Sequence, residues 1–370
     1  MGLDAKIYLM AFYAVQAIIL GLILMLFARR DGKFDTYQLL YALVWTLAVI
    51  TIKQQYGLDQ ANFYSGDQEV QLQMFADLIT HGPALSVQEI IGNRYIVLFP
   101  VWFLKFFGIE PILATKFLQA LCLTTLYKIC SRFLVENGIK VRLFHAIFFA
   151  GPLFIFISTL GLRDLEIALA ATYFFVGKSP HLRLFSLVVL VPLRPHLAAS
   201  LIFGWLLSKF LEKYTFKRIY LFFIVMTIFA FTIGSYGYSL GVSLQYGFQY
   251  ISPKIFNQDG WWRFLANTIG LQFFSFDDNT VKFKFIQLIA LRLFFVDSFL
   301  IPSCFIFTLL FQKIKYSALR IQVFFSFVFF IGLVSQTEFN STRQNLPFLS
   351  TMGLLALLGI LKNNKTKNSQ

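Results

Sequence analysis

Apolar runs long enough to cross a lipid bilayer recur from one end of this chain to the other. Windows 7–27, 219–239 and 286–311 approach or exceed the ~20 residues with which a helix traverses the hydrocarbon core. Inside lipid every backbone N–H and C=O must find its partner within the protein, so such runs point to helices as the spanning element. The composition agrees, with 58% hydrophobic and only 14% charged residues, where water-soluble domains are apolar over about half their length. The sequence therefore predicts an all-α, polytopic integral membrane protein forming one transmembrane domain over residues 1–370.

The net charge of +14 raises nucleic acid as a partner, and its placement argues against one. Lys and Arg cluster in short segments between apolar runs, as cytoplasmic anchors do. No basic patch is interleaved with polar, soluble sequence. Cys122, Cys130 and Cys304 lie in or beside apolar runs without metal-ligand spacing, and read as small core residues. No Walker motif, zinc spacing, nucleophile elbow or dinucleotide fingerprint occurs, so no cofactor and no metal are expected. The first run lacks a basic leader and ends in Ala28-Arg29-Arg30, the pattern of an anchor helix and not of a cleaved signal.

Positive charge then orders the crossings. Arg29, Arg30 and Lys33 place the loop after the first run in the cytoplasm and the N-terminus outside. A run at 36–53 returns outward, and a polar stretch follows that opens the first outer loop, 54–110. The segment 94–108 reaches only ~22 Å as a helix, short of a ~30 Å core, and is read as interfacial. Crossings follow at 111–129, 143–161, 164–177, 184–193, 194–210, 219–239, 286–311, 321–335 and 345–361. Lys128, Arg132, Lys178, Arg183, Lys209, Lys313, Lys315 and Arg320 fall on the cytoplasmic side. The total is about eleven crossings, with a second outer loop at 240–285 and a basic cytoplasmic tail at 362–370. Runs 164–177 and 184–193 are too short to span alone, and short helices at membrane depth need protein or a wet cavity around them. The turns at Arg163 and at Arg194-Pro195-His196 are therefore expected below the outer surface.

Outer arginines beside crossings are disfavoured and call for a reason. Arg94, Arg163, Arg194, Arg292 and Arg343 offer planar forks that match phosphate oxygens and never lose charge. Arg163 also begins a helix, whose N-terminal amides favour anions. A bland alternative stands beside this: Arg163 pairs with Asp164 or Glu166, and Arg292 with Asp297, merely tying helices together. Among the outer carboxylates Asp67 and Glu69 are candidate bases, with a helix cap or a solvated loop charge as the plain reading of Asp67. His196 is a candidate proton relay or phosphate ligand, or simply a satisfied histidine.

Three stretches resemble the EpsG/Wzy-type polysaccharide polymerases, membrane proteins related to the GT-C glycosyltransferases. "YGLDQANFYSGDQEVQLQMFADLI" is similar to that family's Gly–Asp stretch, with Asp67 and Phe75. "NRYIVLFPVWFLKFFGIEPILATKFLQALCLTTLYKICSRF" is similar to the segment after the first outer loop. "LRDLEIALA" and "LRPHLAASLIF" resemble two of the family's helix starts, at Arg163 and His196. The family's Gly-x-Asp is Gly66-Asp67 here, and Gln68 and Gln71 stand where aromatic residues are usual. "STRQNLPFLSTMG", led by Arg343, resembles a helix start of O-antigen polymerases with its spacing off by one residue.

The resemblance implies a GT-C-like fold with interfacial helices in the first outer loop. It implies polymerisation of undecaprenyl-diphosphate-linked oligosaccharide repeat units into O-antigen or exopolysaccharide, on the outer face of a bacterial inner membrane. Asp67, Glu69 and His196 would be catalytic. Arg94, Arg163, Asp164, Arg194, Arg292 and Arg343 would bind substrate. Partners would be the lipid-linked glycan, the bilayer, a flippase and a chain-length regulator. The alternatives are a GT-C transferase using a polyprenyl-phosphate sugar, and a transporter or flippase of an anionic lipid-linked substrate. The lack of an evident internal repeat counts against the transporter.

Overall fold

The computed structural model describes residues 111–139, 145–151, 153, 154, 157, 163–211, 299–311, 317–334 and 341–367. The crossings at 7–27, 36–53 and 219–239, both outer loops and the interfacial segment 94–108 lie outside the described residues. Among the described residues all regular structure is helical: α1 Pro111–Glu136, α2 Ala146–Phe149, α3 Asp164–Val176, α4 Pro180–Leu193, α5 Pro195–Leu211, α6 Ile301–Phe311, α7 Ser317–Val334 and α8 Ser341–Lys367. Of these, α1 carries a stretch, Leu118–Glu136, long and apolar enough to cross a membrane; five others have shorter apolar cores.

Local chemistry sets the helix ends. Proline opens α1, α4 and α5, where its missing N–H would have been unpaired anyway. α1 outlasts its apolar run and stops at Asn137-Gly138. Gly138 takes φ +74°, a left-handed conformation that costs glycine little. Its N–H then bonds Val135 O at 2.8 Å, and the Ile139 N–H bonds Leu134 O at 3.0 Å, the paired closure of a Schellman motif. Leu134 and Ile139 are both buried beneath it. α3 stops at Gly177, whose carbonyl accepts the Arg183 Nε–H at 2.6 Å. The run expected to cross over 143–161 is helical at α2 but irregular at Ala150 and Gly151, so it is interrupted there.

Two compact units emerge, one from Met1–Lys128 with Phe154–Leu169, the other from Ile129–Leu153 with Ala170–Gln370. In the second, α5 packs along α7. The face of α5 that does so carries His196, Ser200, Gly204 and Ser208, all buried and spaced four apart, so they share one side. A Cβ on Gly204 would come within 2.6 Å of Ser326 N and 2.7 Å of Gln322 O. His196 stacks on Phe330 at 5.5 Å and Phe203 on Phe329 at 4.4 Å. Rising numbers in α5 meet falling numbers in α7, so the two run antiparallel. Phe327 and Phe330 both meet Phe348 of α8, while Arg320 reaches Leu355 O, which makes α7 and α8 antiparallel too.

The outer faces of α4 and α5 reverse the usual pattern. Leu184 and Phe185 are 62% and 64% exposed, and Leu182, Val188, Val191, Trp205, Leu206 and Phe210 are exposed with them. The buried positions of α4 are Ser186, Leu190 and Leu193. On α5 small and polar residues share the buried side with Leu197 and Leu201, and the large apolar residues named above face out. Close approach through Gly and Ser is how helices associate where lipid, not water, surrounds them.

Arg320 departs from expectation. The sequence grouped it with Lys313 and Lys315 as a cytoplasmic anchor. It lies one turn inside α7, is 2% exposed, and donates to Thr308 O at 3.1 Å and Leu355 O at 2.8 Å. Thr308 belongs to the last turn of α6, whose carbonyls have no partner in their own helix, and a cation there meets the negative end of the helix dipole. The guanidinium thus joins α6, α7 and α8.

Candidate functional site

Within the first unit, the polar group lies at the start of α3. Arg163 precedes the helix and its carbonyl accepts the Ile167 N–H at 3.2 Å. Asp164 and Glu166 follow in the first turn, where the helix dipole favours negative charge. Asp164 is buried, and both Arg163 and Asp164 lie within electrostatic range of Glu166. From α1, Gln119 Nε2 donates a short hydrogen bond to Glu166 Oε1. That bond leaves the other oxygen of each group, Gln119 Oε1 and Glu166 Oε2, shielded from solvent with no hydrogen-bond partner. Gln119 is 1% exposed.

Within the second unit, one residue separates α4 from α5. Arg194 has φ −154° and ψ 80°, so the helix breaks at a single position. Its N–H still closes onto Leu190 O at 2.7 Å, and its carbonyl accepts from Leu197 at 2.9 Å and Ala198 at 3.1 Å. Pro192 precedes the break and Pro195 follows it; a proline donates no N–H to helix bonding and disfavours helical geometry in the residue before it. The sequence Pro-Leu-Arg-Pro thus fixes the turn. Arg194 is half-buried and His196 buried. His196 stacks on Phe330, and its carbonyl accepts the Ser200 hydroxyl at 2.6 Å. Phe330 stands 5.3 Å from Phe348, two turns into α8, so the turn is level with that part of α8. Arg343 occupies the first turn of α8, toward the same end of the unit.

The arrangement offers an arginine and a histidine on either side of Pro195 at a helix break, and separately a carboxylate–carboxamide pair. Arg194 and His196 flank the same helix break and Arg343 lies toward their end of the unit, while Arg163 and Asp164 belong to the first unit. Asp67, Glu69, Arg94 and Arg292 lie outside the described residues. Sequence reasoning missed Gln119, although a glutamine amid the apolar residues of "FLQALCL" is itself a signal. Glu166 was weighed only as an outer acid or a partner of Arg163. Among the described residues, no group of His, Cys, Asp and Glu is arranged to hold a metal ion. Comparison with family models, characterised proteins and solved structures finds no match for this chain.

Proposed function

We propose that the chain is a polytopic inner-membrane glycosyltransferase, with about eleven crossings and a GT-C-like fold. It would polymerise undecaprenyl-diphosphate-linked repeat units on the extracytoplasmic face. The observation that carries the reading is the Arg194–His196 turn: a cation and an imidazole set at a break between two short helices whose outer surfaces are apolar. Such a surface suits acyl chains, and a cation inside it suits an anionic headgroup reached from the lipid. The antiparallel order of α5, α7 and α8 supports the alternation of crossings read from charge.

In the reaction, a growing glycan passes from its lipid diphosphate to a hydroxyl of the next repeat unit. Negative charge develops on the departing diphosphate, and Arg194 would stabilise it through charge-assisted hydrogen bonds. Asp67 or Glu69 would take the proton from the acceptor hydroxyl.

Arg163→Ala and Arg194→Ala are each expected to cut surface polymer by about a hundredfold or more while protein levels stay unchanged. Glycan ladders of a complemented deletion strain measure this, and normal long chains in both variants would remove the phosphate site. The orientation is tested separately by single cysteines at Tyr64 and Ile314. The first should react with an impermeant maleimide on intact cells, the second only after permeabilisation. The opposite pattern inverts the topology.

A further inference from the structure

We infer that Gln119 and Glu166 form a hydroxyl-binding subsite for a sugar ring, a role that rests on the glycosyltransferase reading above. The carboxamide and carboxylate touch through the Gln119 Nε2–H to Glu166 Oε1 hydrogen bond. Each turns one unfilled acceptor oxygen to its surroundings, Gln119 Oε1 and Glu166 Oε2, and both atoms are buried. Buried acceptors without donors are costly, and two on adjoining planar groups ask for two donors side by side.

Vicinal hydroxyls of a pyranose supply that pair. The alternatives fit less well. A divalent cation would want further ligands, and no metal-binding group of side chains exists among the described residues. An anion is repelled by Glu166 and by Asp164, buried two residues earlier. The hydrogen bond from Gln119 fixes the carboxylate in position, so the subsite needs little reorganisation on binding.

The test uses the purified full-length chain in detergent micelles. Melting temperature is followed against a panel of free monosaccharides (glucose, galactose, mannose, N-acetylglucosamine, rhamnose), with sodium chloride and inorganic pyrophosphate as separate arms. At least one sugar should stabilise the wild type in a saturable way. Glu166→Gln and Gln119→Leu should weaken that sugar's apparent affinity about tenfold or more, the effect of losing a hydrogen bond to a charged group or leaving one unmade. Lys178→Ala, which breaks only the exposed ion pair with Glu136, should leave it unchanged. Gln119→Asn, which retracts the amide by one methylene, replaces any variant that is not monodisperse.

Sugar stabilisation that survives in the variants overturns the subsite, as does a wild type that responds to sodium alone or to no sugar. The pyrophosphate arm separates this failure from that of the parent reading. A pyrophosphate response lost in Arg194→Ala, with no sugar response, sinks the subsite only. A sugar response without any pyrophosphate response keeps the subsite and sinks the diphosphate chemistry.

Discussion

Gly353→Leu should leave almost no stably folded protein. Any Cβ at this position falls on the carbonyl oxygen of Phe148 and lies 3.3 Å from its Cα. The obstacle is backbone, held in α2 against α8, and cannot swing aside as a flexible side chain would. Phe149, next in α2, is fully buried, so α2 has little room to retreat. Overpacking commonly costs about 1–3 kcal/mol; a branched side chain driven into backbone should exceed about 4 kcal/mol, a large part of what a domain has in reserve. The yield of monodisperse protein from detergent extracts measures this, with Gly353→Ala expected to fall between wild type and the Leu variant. A normal yield of Gly353→Leu would mean that α2 and α8 do not meet here.

Arg320→Ala is the second large effect. It removes donors to Thr308 O and Leu355 O at once, in a place where no water can replace them. A hydrogen bond from a charged group contributes about 1.5–3 kcal/mol, so the loss should approach 3–6 kcal/mol before any relaxation. The variant should melt well below the wild type and be extracted largely as aggregate. Arg320→Lys keeps the charge but loses the planar fork, and should recover only part of the loss. Equal melting of all three forms would show that α6 and α8 do not depend on the guanidinium.

How legible was this in the sequence? Hydropathy located the described helical runs to within a few residues at most ends. It ended the first described run at 129, whereas α1 runs to Glu136 and is stopped by the conformation of Gly138, a signal in Asn137-Gly138 and not in apolarity. It began the fourth helix at 184, four residues late, because Pro180, His181 and Arg183 open α4 without being apolar. The run at 143–161 looked continuous because hydropathy does not register the break at Ala150 and Gly151. The burial of Arg320 was not legible because charge clustering reports on neighbours in sequence, while burial depends on carbonyls from two other helices.

At the candidate site, Arg163 and His196 were readable as helix starts after unusual polar residues. The Gln119–Glu166 contact joins positions 47 residues apart, and no periodicity in either segment encodes it. Likewise Gly204 and Gly353 are ordinary small residues until the opposing backbone is known.

The reversed faces of α5 carry a consequence for how this protein tolerates change. In a water-soluble bundle, oily interior positions resist substitution and the wet surface drifts. On α5 the tightest limit falls on small residues: Gly204, between buried Ser200 and Ser208, cannot enlarge without prising α5 from α7. Trp205, Leu206 and Phe210 can trade places with any greasy neighbour of the alphabet.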